Sequence, residues 1–518
     1  MERARRLLTP FLPDLAPAQL DVALRQAYAA GQWGDPRITP VHPLANSPAA
    51  FLELWHGPTC AFKDVALQLL PHLLKAAAGR PQGQPQVQVQ ADLTEPGFPR
   101  SAAQGQPAAT GGAGTDVAVP TQTTATVPSL EPSEIVVLVA TSGDTGKAAL
   151  AGFADVPGTQ IIVFYPAEGV SPIQERQMTT QTGKNVHVIG VWGNFDDAQT
   201  GVKKLFTDAA FKARLFAHNK AFSSANSINW GRLLPQIVYY VGAYVDLVSL
   251  GRLRPGEPFN VVVPTGNFGN ILAAHYARRL GLPIARLICA SNRNNVLTDF
   301  FHTGRYDRRR PFYRTSSPSM DILISSNLER LLFELVQGDS DQLRAWMDAL
   351  ARHGTYEISQ EQVARIQAEF WADWADEEQT QAAIARTWRE HHYLIDPHTA
   401  VAVHVYDHYR AATGDDRPTV IASTASPFKF PRTVASALEL PMFPSPGVAA
   451  PGSLGLPAPA SSSNLKNLND FDLLERLATF TDHPVPPALQ RLNRRPVLHT
   501  QRCTPAEMPS VVAQVLGV

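Results

Sequence analysis

Short β-branched apolar runs alternate along this chain with stretches of helical spacing, and this alternation limits the available folds more than any other feature. The runs are IVVLVA (135–140), IIVFY (161–165), VHVIGV (186–191), VVV (261–263), LICA (287–290) and TVIAS (419–423). Helical patterns lie between them, at 146–153, 196–214, 231–245 and 269–280. The alternation predicts an α/β fold in which parallel-type sheets carry helices on both faces. Ligands of such sheets bind where strand carboxyl ends meet loops and helix N-termini.

Composition excludes several classes of partner. The chain has 518 residues and a formal net charge of −1, which argues against nucleic acid or an anionic membrane surface. No apolar run is long enough to span a bilayer, and the N-terminus lacks the apolar core of a signal peptide. The three cysteines, Cys60, Cys289 and Cys503, are too far apart for a disulfide framework. We therefore predict a cytoplasmic protein.

Two segments interrupt the pattern. Residues 80–133 are rich in Pro, Gln, Gly, Ala and Thr, and Phe98 is their only aromatic residue. Residues 443–463 read FPSPGVAAPGSLGLPAPASSS. Because neither segment can bury enough apolar surface to offset the entropy of ordering, we predict that both are disordered insertions.

One lysine occupies an unusual position. In HGPTCAFKDVALQ (56–68), Lys63 follows a tight polar turn and stands near the start of an apolar helical pattern. The helix dipole disfavours a cation there, so we expect a lowered pKa that suits a nucleophilic amine. The alternative is a lysine whose stem covers apolar surface while its charge stays in water.

Two glycine-rich loops each follow an apolar strand and open a helix, as an anion-binding loop does. The first, ATSGDTGKAAL (140–150), fails the nucleotide P-loop pattern because Gly146-Lys147 is followed by Ala148. The second, VVVPTGNFGNILAA (261–274), lacks the spacing of a dinucleotide fingerprint. Two such loops predict ligands with more than one anionic group.

Other polar residues remain ambiguous at this stage. Arg232 offers a planar fork for phosphate or carboxylate, although an isolated Arg more often caps neighbouring carbonyls. One of the hydroxyl side chains after residue 422 can donate a hydrogen bond to a ring nitrogen of a ligand. Alternatively, this segment is an ordinary strand-to-helix connection. His404 and His408 have the i,i+4 spacing of a zinc site, but Val405 stands where such a site needs Glu. We predict no metal site.

An activated lysine combined with phosphate-binding glycine loops is what pyridoxal phosphate (PLP) chemistry requires. The chain resembles threonine synthase, of the fold-type-II group of PLP enzymes. The matching stretches are HGPTCAFKD (56–64), ATSGDTG (140–146), SPIQE (171–175), NSINWGRLLPQIVYY (226–240), PTGNFGN (264–270) and DPHTAVAV (396–403). They occur in the family's order from residue 50 to about residue 440, and as a set they are highly specific.

The resemblance implies a role for each matching residue. Lys63 is then the Schiff-base lysine, and the Thr424 hydroxyl faces the pyridine nitrogen. The implied PLP phosphate loop consists of Gly266, Asn267, Phe268, Gly269 and Asn270. The implied substrate residues are Thr141, Ser142, Asp144 and Thr145, in the loop for the substrate carboxylate and the cofactor ring, and Ser227 and Arg232 for the substrate phosphate.

The resemblance also implies a particular reaction, and a fold like that of the tryptophan synthase β subunit. Residues 1–79 and 227–518 would form a large PLP-binding domain, and 134–226 a small domain that closes over substrate. O-phospho-L-homoserine and water would give L-threonine and phosphate. Two rivals stay open: a serine or threonine dehydratase that uses the same lysine, and a catalytically inactive PLP-fold protein that binds a ligand or partner.

Three departures from the family pattern accompany the resemblance. An N-terminal segment of the family's longer members has no counterpart here, Cys60 replaces an aliphatic residue, and Ser426 stands where relatives can carry His. The two substitutions leave the implied reaction class intact.

Overall fold

The structure, a computed structural model, describes residues 1–78, 133–141, 143–227, 229–440 and 468–518. Its strands are β1 (Val41–Pro43), β2 (Ala49–Glu53), β3 (Glu134–Ala140), β4 (Thr159–Pro166), β5 (Val186–Val191), β6 (Lys220–Ser224), β7 (Phe259–Pro264), β8 (Ile284–Ser291), β9 (Arg305–Asp307), β10 (Thr355–Glu357), β11 (Phe370–Trp374), β12 (Thr419–Ser423) and β13 (Arg502–Cys503). The two predicted insertions, 80–133 and 443–463, lie outside these described residues apart from Ser133.

The α-helices are distributed between and after these strands. They are α1 (Glu2–Leu8), α2 (Pro17–Ala27), α3 (Lys63–Leu67), α4 (Leu70–Ala78), α5 (Asp144–Phe153), α6 (Pro172–Thr179), α7 (Phe195–Thr207), α8 (Ala209–Ala217), α9 (Trp230–Ser249), α10 (Gly269–Arg279), α11 (Val296–Thr303), α12 (Leu328–Leu335), α13 (Ser340–His353), α14 (Gln360–Glu369), α15 (Glu377–His391), α16 (Pro397–Thr413), α17 (Pro431–Ala437), α18 (Asp470–Thr481) and α19 (Met508–Leu516). None of those in the described ranges is long and apolar enough to cross a membrane.

In the described residues the strands form two main sheets. The larger sheet has the order β1-β2-β12-β7-β8-β11, and every neighbouring pair except β1–β2 is parallel. The smaller sheet has the order β13-β5-β4-β3-β6 and is parallel throughout. Strands β9 and β10 form a separate antiparallel pair. All six sequence runs that predicted strands lie within these sheets.

Helices cover both faces of each sheet. In β7, Val261 and Val263 belong to one hydrophobic cluster, whereas Val262 belongs to the cluster on the opposite face. In β3, Leu138 and Val139 likewise belong to different clusters. Because alternate residues of a strand point to opposite faces, both faces of each sheet are buried. The predicted α/β fold with two parallel-type sheets is confirmed.

The C-terminal segment differs from its prediction. It was assigned with the rest of 227–518 to the large domain, but β13 pairs with β5 and α19 packs on the smaller sheet. Strand β13 contains only two residues, so it produces no apolar run that sequence reasoning can detect. The division into two domains otherwise stays a prediction.

Two predicted helices are each divided in the structure. The pattern at 196–214 forms α7 and α8, which meet at Asp208, whose side chain accepts a hydrogen bond from Phe211 N and caps α8. The apolar pattern after residue 62 forms the short helices α3 and α4. Strong hydrophobic spacing continued through both breaks, so the pattern alone did not locate them.

Candidate active site

The turn before α3 places Lys63 at the first residue of that helix. The Asp64 carboxylate accepts hydrogen bonds from Thr59 N at 2.8 Å and from Thr59 Oγ1 at 2.6 Å. A Cβ atom at Gly57 would lie 2.4 Å from the Asp64 Cβ, so only glycine permits this close approach. The turn therefore holds Lys63 in a fixed, buried position with 9% of its surface exposed.

Burial lowers the pKa of Lys63 to about 8. The nearby Asp144 carboxylate opposes this shift, while the Arg232 and Lys429 cations add to it. The predicted direction therefore agrees with the structure, but desolvation rather than the dipole of the short helix α3 is the main cause. The alternative of a lysine whose ammonium reaches bulk water does not fit this burial.

The Lys63 amine has two polar neighbours. Its Nζ atom donates to Ser319 Oγ at 3.1 Å and lies 3.9 Å from Asp144 Oδ2. Ser319 is held in turn by His398, whose Nε2 accepts the Ser319 backbone N–H at 3.1 Å. Because Nε2 is an acceptor, the imidazole proton lies on Nδ1 and is donated to Asp396 Oδ1 at 2.6 Å. A chain of hydrogen bonds thus fixes the backbone of Ser319, whose hydroxyl faces Lys63.

The first glycine-rich loop is braced by its own threonine. Thr141 Oγ1 accepts the backbone N–H groups of Gly143 at 3.0 Å and Gly146 at 2.9 Å. Asp144 begins α5, and its carboxylate accepts hydrogen bonds from Lys429 Nζ at 2.5 Å and from Gln174 Nε2 at 2.9 Å. Ser142 lies outside the described residues.

Asp144 stays ionised despite its burial. Desolvation raises its pKa, but the Lys429 and Lys63 cations and the hydrogen bonds outweigh that effect and hold the pKa well below its usual range. Thr145, the next residue of α5, is half-buried. The loop therefore brings a fixed negative charge up to the Lys63 amine.

The second glycine-rich loop packs against the Ser319 turn. A Cβ atom at Gly266 would lie 2.8 Å from the Ser319 carbonyl oxygen, so the loop tolerates no side chain there. Asn267 is exposed, and buried Phe268 has φ of 64° as the residue before α10, which begins at Gly269. Because the N-terminus of a helix attracts anions, this loop fits a phosphate.

Side chains from neighbouring segments of the chain donate hydrogen bonds to the same loop. Ser325 Oγ donates to Gly266 O at 2.8 Å, and Asn327 Nδ2 donates to Asn267 O at 2.9 Å. The hydroxyls of Tyr239 and Tyr240 both donate to Asn270 Oδ1 at 2.6 Å. These contacts fix the backbone of the loop before any ligand binds.

Arg232 lies in the first turn of α9 and is only 4% exposed. Its Nη1 donates to Ala225 O at 2.9 Å, as the capping alternative predicted. Its buried Nε has no hydrogen-bond partner within the described part of the chain. Desolvation lowers the pKa of Arg232 to about 10, so the guanidinium remains charged and keeps a donor for an anion. Ser227 Oγ lies 2.8 Å from Ser326 Oγ.

Thr424 is buried directly after β12. Its carbonyl oxygen accepts the backbone N–H of Phe62 at 2.8 Å, which ties this position to the residue before Lys63. Its own N–H donates to Thr399 Oγ1 at 3.4 Å. The end of the strand and the lysine turn are therefore one hydrogen-bonded unit.

A cleft of about 1140 Å³ opens between the two sheets next to this cluster. Gln174, Trp192 and Phe195 line it on the side of the smaller sheet, and Asn267 and Phe312 on the side of the larger sheet. Lys429 also lines this cleft. A small molecule in this cleft contacts the second glycine-rich loop at Asn267 and lies next to Lys429, the partner of Asp144, whereas Lys63 itself does not line the cleft.

Sequence reasoning missed three residues of this cluster: Ser319, Gln174 and Lys429. Lys429 was visible in the stretch ASTASPFKF, and Gln174 in SPIQE, but no spacing indicated that either side chain reaches Asp144. Two other titratable residues named from the sequence, His408 and Cys60, do not contribute to this chemistry. His408 contacts Asp373 at the surface, and burial raises the pKa of Cys60 to about 12.

A buried lysine, an anion-binding loop and a cleft between two parallel sheets define the site of a fold-type-II PLP enzyme. Residues 123–425 match the family described as pyridoxal-phosphate dependent enzyme. The chain belongs to this family, in which its relatives are threonine synthases and threonine synthase-like proteins. The resemblance stated from the sequence motifs is confirmed, and pyridoxal 5'-phosphate is the cofactor.

Three relatives illustrate the similarity. The chain is 35% identical to threonine synthase of Schizosaccharomyces pombe over 461 residues, which covers 85% of this chain and 79% of that protein. It is 38% identical to human threonine synthase-like 1 over 450 residues, 85% of this chain, but it spans only about half (53%) of that protein's length. The chain is similar to the solved structure of PLP-bound threonine synthase from Brucella melitensis, with a TM-score of 0.74 and 31% identity, and the match covers 100% of this chain and 89% of that chain.

The residues of the site fit this cofactor. Lys63 supplies a desolvated amine whose pKa of about 8 leaves part of it neutral near physiological pH. Gly266 permits the close packing of its loop against the Ser319 turn, and the loop leads into the N-terminus of α10, where a phosphate is favoured. The amine and the phosphate loop are therefore linked through one turn, at Ser319.

Proposed function

We propose that this enzyme converts O-phospho-L-homoserine and water into L-threonine and phosphate by γ-elimination and β-addition. It would then be a PLP-dependent carbon–oxygen lyase that acts on a phosphate substrate. The observation that carries this proposal is the buried Arg232 guanidinium with its unpartnered Nε. It lies close enough to Lys63 to lower the pKa of the amine, and a buried charge of this kind needs an anion. A substrate phosphate meets that need.

The cofactor, when bound, supplies an electron sink that makes the protons next to the reacting carbons acidic enough to remove. We assign its phosphate to the loop of Gly266, Asn267, Phe268, Gly269 and Asn270. We assign the ring nitrogen to the Thr424 hydroxyl. In this arrangement Lys63 anchors the cofactor in the resting enzyme.

The released Lys63 amine carries the proton transfers. We propose that it would remove the Cα proton of the substrate, give that proton up, and then remove a Cβ proton, because its pKa of about 8 suits a general base near neutral pH. Once phosphate has left Cγ, the two protons would return to Cγ and Cα. Ser319 Oγ, at 3.1 Å, holds the amine in place between these steps. The hydroxyl of water would add at Cβ and its proton would go to the departing phosphate, which leaves threonine as the product and Lys63 as the residue that would hold the cofactor in the resting enzyme.

The substrate groups are assigned to the two remaining loops. The carboxylate is held by the loop of Thr141, Ser142, Asp144 and Thr145 at the start of α5, where the helix N-terminus favours an anion. Ser227 and Arg232 grip the phosphate and stabilise the charge that grows on it as it leaves Cγ. Closure of 134–226 over the substrate would exclude all water except the reacting molecule.

The test is the production of phosphate and threonine from O-phospho-L-homoserine by the purified, PLP-loaded enzyme. Equal amounts of both products, lost in Lys63→Ala, are the expected result. Lys75→Ala, which removes an exposed lysine on α4, is the matched control and should leave both rates unchanged. Turnover of serine or threonine to keto acids, with no phosphate released from phosphohomoserine, would instead indicate a dehydratase. Cofactor absorbance that borohydride bleaches, with no turnover of any amino acid, would indicate an inactive binding protein.

A further inference from the structure

Lys429 is a fully buried lysine that the proposed reaction does not use. It ends the short turn Pro427–Lys429 that follows β12. Its Nζ atom donates to Thr59 O at 3.0 Å and to Asp144 Oδ1 at 2.5 Å. Because an ammonium is costly to bury without a charged partner, the contact with Asp144 defines what Lys429 does here.

Asp144 lies between two lysines, and its carboxylate is much closer to Lys429 than to Lys63. Lys429 contacts its Oδ1 atom, and Gln174 donates to the same oxygen at 2.9 Å. Lys63 Nζ lies 3.9 Å from Oδ2, beyond hydrogen-bond distance. The closer cation has the stronger Coulomb interaction, so Asp144 is primarily the partner of Lys429.

The other charges around Lys63 do not replace that partner. Arg232 on α9 is a second cation that disfavours a protonated amine. Asp64, on the same helix as Lys63, already accepts two hydrogen bonds from Thr59. Lys63 is thus faced by Arg232 and Lys429 and by two carboxylates whose hydrogen bonds go to other residues. Its own hydrogen bond goes to the neutral Ser319 hydroxyl.

We propose that Lys429 is a positioning residue that keeps the Asp144 carboxylate from closing its 3.9 Å ion pair with Lys63 to hydrogen-bond distance. The Lys63 amine then remains available to remove protons in the reaction, a consequence that rests on the proposed function. The contact also docks the start of α5, which packs on the smaller sheet, against the 57–60 turn and the 427–429 turn. The buried ion pair between Lys429 and Asp144 therefore links the position of the first glycine-rich loop to the protonation state of the Lys63 amine.

The decisive measurement is the pH midpoint of Lys63 acylation in the apoenzyme. Trace acetic anhydride is the probe, and mass spectrometry quantifies the peptide that contains Lys63. In Lys429→Gln, Lys63 loses a repelling cation, and Asp144 loses its nearer partner and can move within hydrogen-bond distance of Lys63, so the midpoint should rise by about one pH unit. The matched control is Lys220→Met, which removes a lysine paired with Glu134 in the smaller sheet and should leave the midpoint in place. An unchanged midpoint in Lys429→Gln would overturn the proposal.

A second variant keeps the test decisive if Lys429→Gln does not fold. In the double variant Asp144→Asn with Lys429→Gln, both charges are replaced by amides that can still hydrogen-bond, so no uncompensated charge is buried. Lys63 then loses its nearest anion, and its midpoint should fall below that of the wild type. A midpoint at or above the wild-type value would count against the proposal.

Acylation separates this proposal from the proposed function because it requires no turnover. Shifted midpoints without threonine formation would support the role of Lys429 and refute the threonine synthase assignment. Threonine formation with unshifted midpoints would support the threonine synthase assignment and refute the role of Lys429. If the role of Lys429 and the threonine synthase assignment are both correct, the acid limb of the pH profile of kcat should move to higher pH in Lys429→Gln.

Discussion

Gly152 of α5 lies directly against the Leu67 carbonyl of α3, so that a Cβ atom at position 152 would be only 2.1 Å from that oxygen. Helix α3 begins at Lys63. The close approach of these two helices therefore connects the helix of the first glycine-rich loop to the helix of the buried lysine. Gly146, also on α5, is similarly confined, because its Cβ would lie 2.4 Å from Thr141 Cγ2.

Substitution at this contact should separate the two helices. In Gly152→Ala the added methyl group collides with backbone, which cannot rotate away, so we expect a loss of roughly 1–3 kcal/mol in stability. The control is Gly242→Ala on α9, where the nearest atom would be 3.9 Å away and the change should be neutral or stabilising. Thermal unfolding of both variants checks this. Equal melting temperatures for Gly152→Ala and the wild type would contradict the described packing.

Removal of the Arg232 guanidinium should mainly affect a phosphorylated substrate. Arg232→Gln leaves the substrate phosphate without its buried charged partner, so kcat/KM for O-phospho-L-homoserine should fall by about two to three orders of magnitude. Arg254→Gln, an exposed arginine paired with Glu257, is the control and should have wild-type kinetics. Retention of wild-type kcat/KM in Arg232→Gln would remove the main support for a phosphate substrate.

The residue at position 424 should set the balance of products. A neutral hydroxyl leaves the pyridine nitrogen unprotonated, whereas the carboxylate of Thr424→Asp would favour its protonation and strengthen the electron sink. We therefore expect a larger share of the elimination by-product 2-ketobutyrate relative to threonine. Thr424→Ser keeps the hydroxyl and should keep the wild-type ratio. An unchanged ratio in Thr424→Asp would show that this side chain does not act on the ring nitrogen.

His275 on α10 should make the stability of the enzyme depend on pH. Burial alone lowers its pKa, but hydrogen bonds with Glu334 at 3.1 Å and Glu369 at 2.5 Å outweigh burial and raise the pKa to about 9. A pKa raised in the folded state means that the charged pairs stabilise the fold below about pH 6.5 and cease to do so as pH rises through about 9. The full effect is on the order of 3 kcal/mol.

Thermal unfolding of His275→Gln between pH 6 and pH 10 tests this pH dependence. The melting temperature of the variant should lie well below that of the wild type at pH 6, and the gap should shrink towards pH 10. His218→Gln, which changes an exposed histidine directly after α8, serves as the control and should show a small gap at every pH. A constant gap for His275→Gln would mean that its role is packing rather than charge.

Much of the fold was predictable because its strands are buried on both faces. Every residue of β7 and of β12 is buried, and such strands appear in sequence as short continuous β-branched runs. Four helical patterns, at 146–153, 196–214, 231–245 and 269–280, were found by spacing, whereas α16, which packs on β7 and β12, was not. The breaks at Asp208 and after Leu67 were not found, because a cap or a change of direction leaves the hydrophobic spacing almost unaltered.

The candidate site was predictable where its chemistry is local. Lys63 and the two glycine-rich loops are each contained in a short stretch of residues, whose order and types determine a turn, a helix start and an anion-binding backbone. The sequence by itself therefore determined the family and the cofactor, and it contains the lysine that we propose holds this cofactor.

Only the tertiary structure decided what surrounds that lysine. Ser319 is 256 residues away in the chain and Lys429 is 285 residues from Asp144, so no spacing rule relates these side chains. The lowered pKa of Lys63 has the same origin, since it results mainly from desolvation, and desolvation exists only once both sheets have packed around the amine. Local sequence determines which groups can react, and long-range packing determines the charges and the dielectric in which they do so.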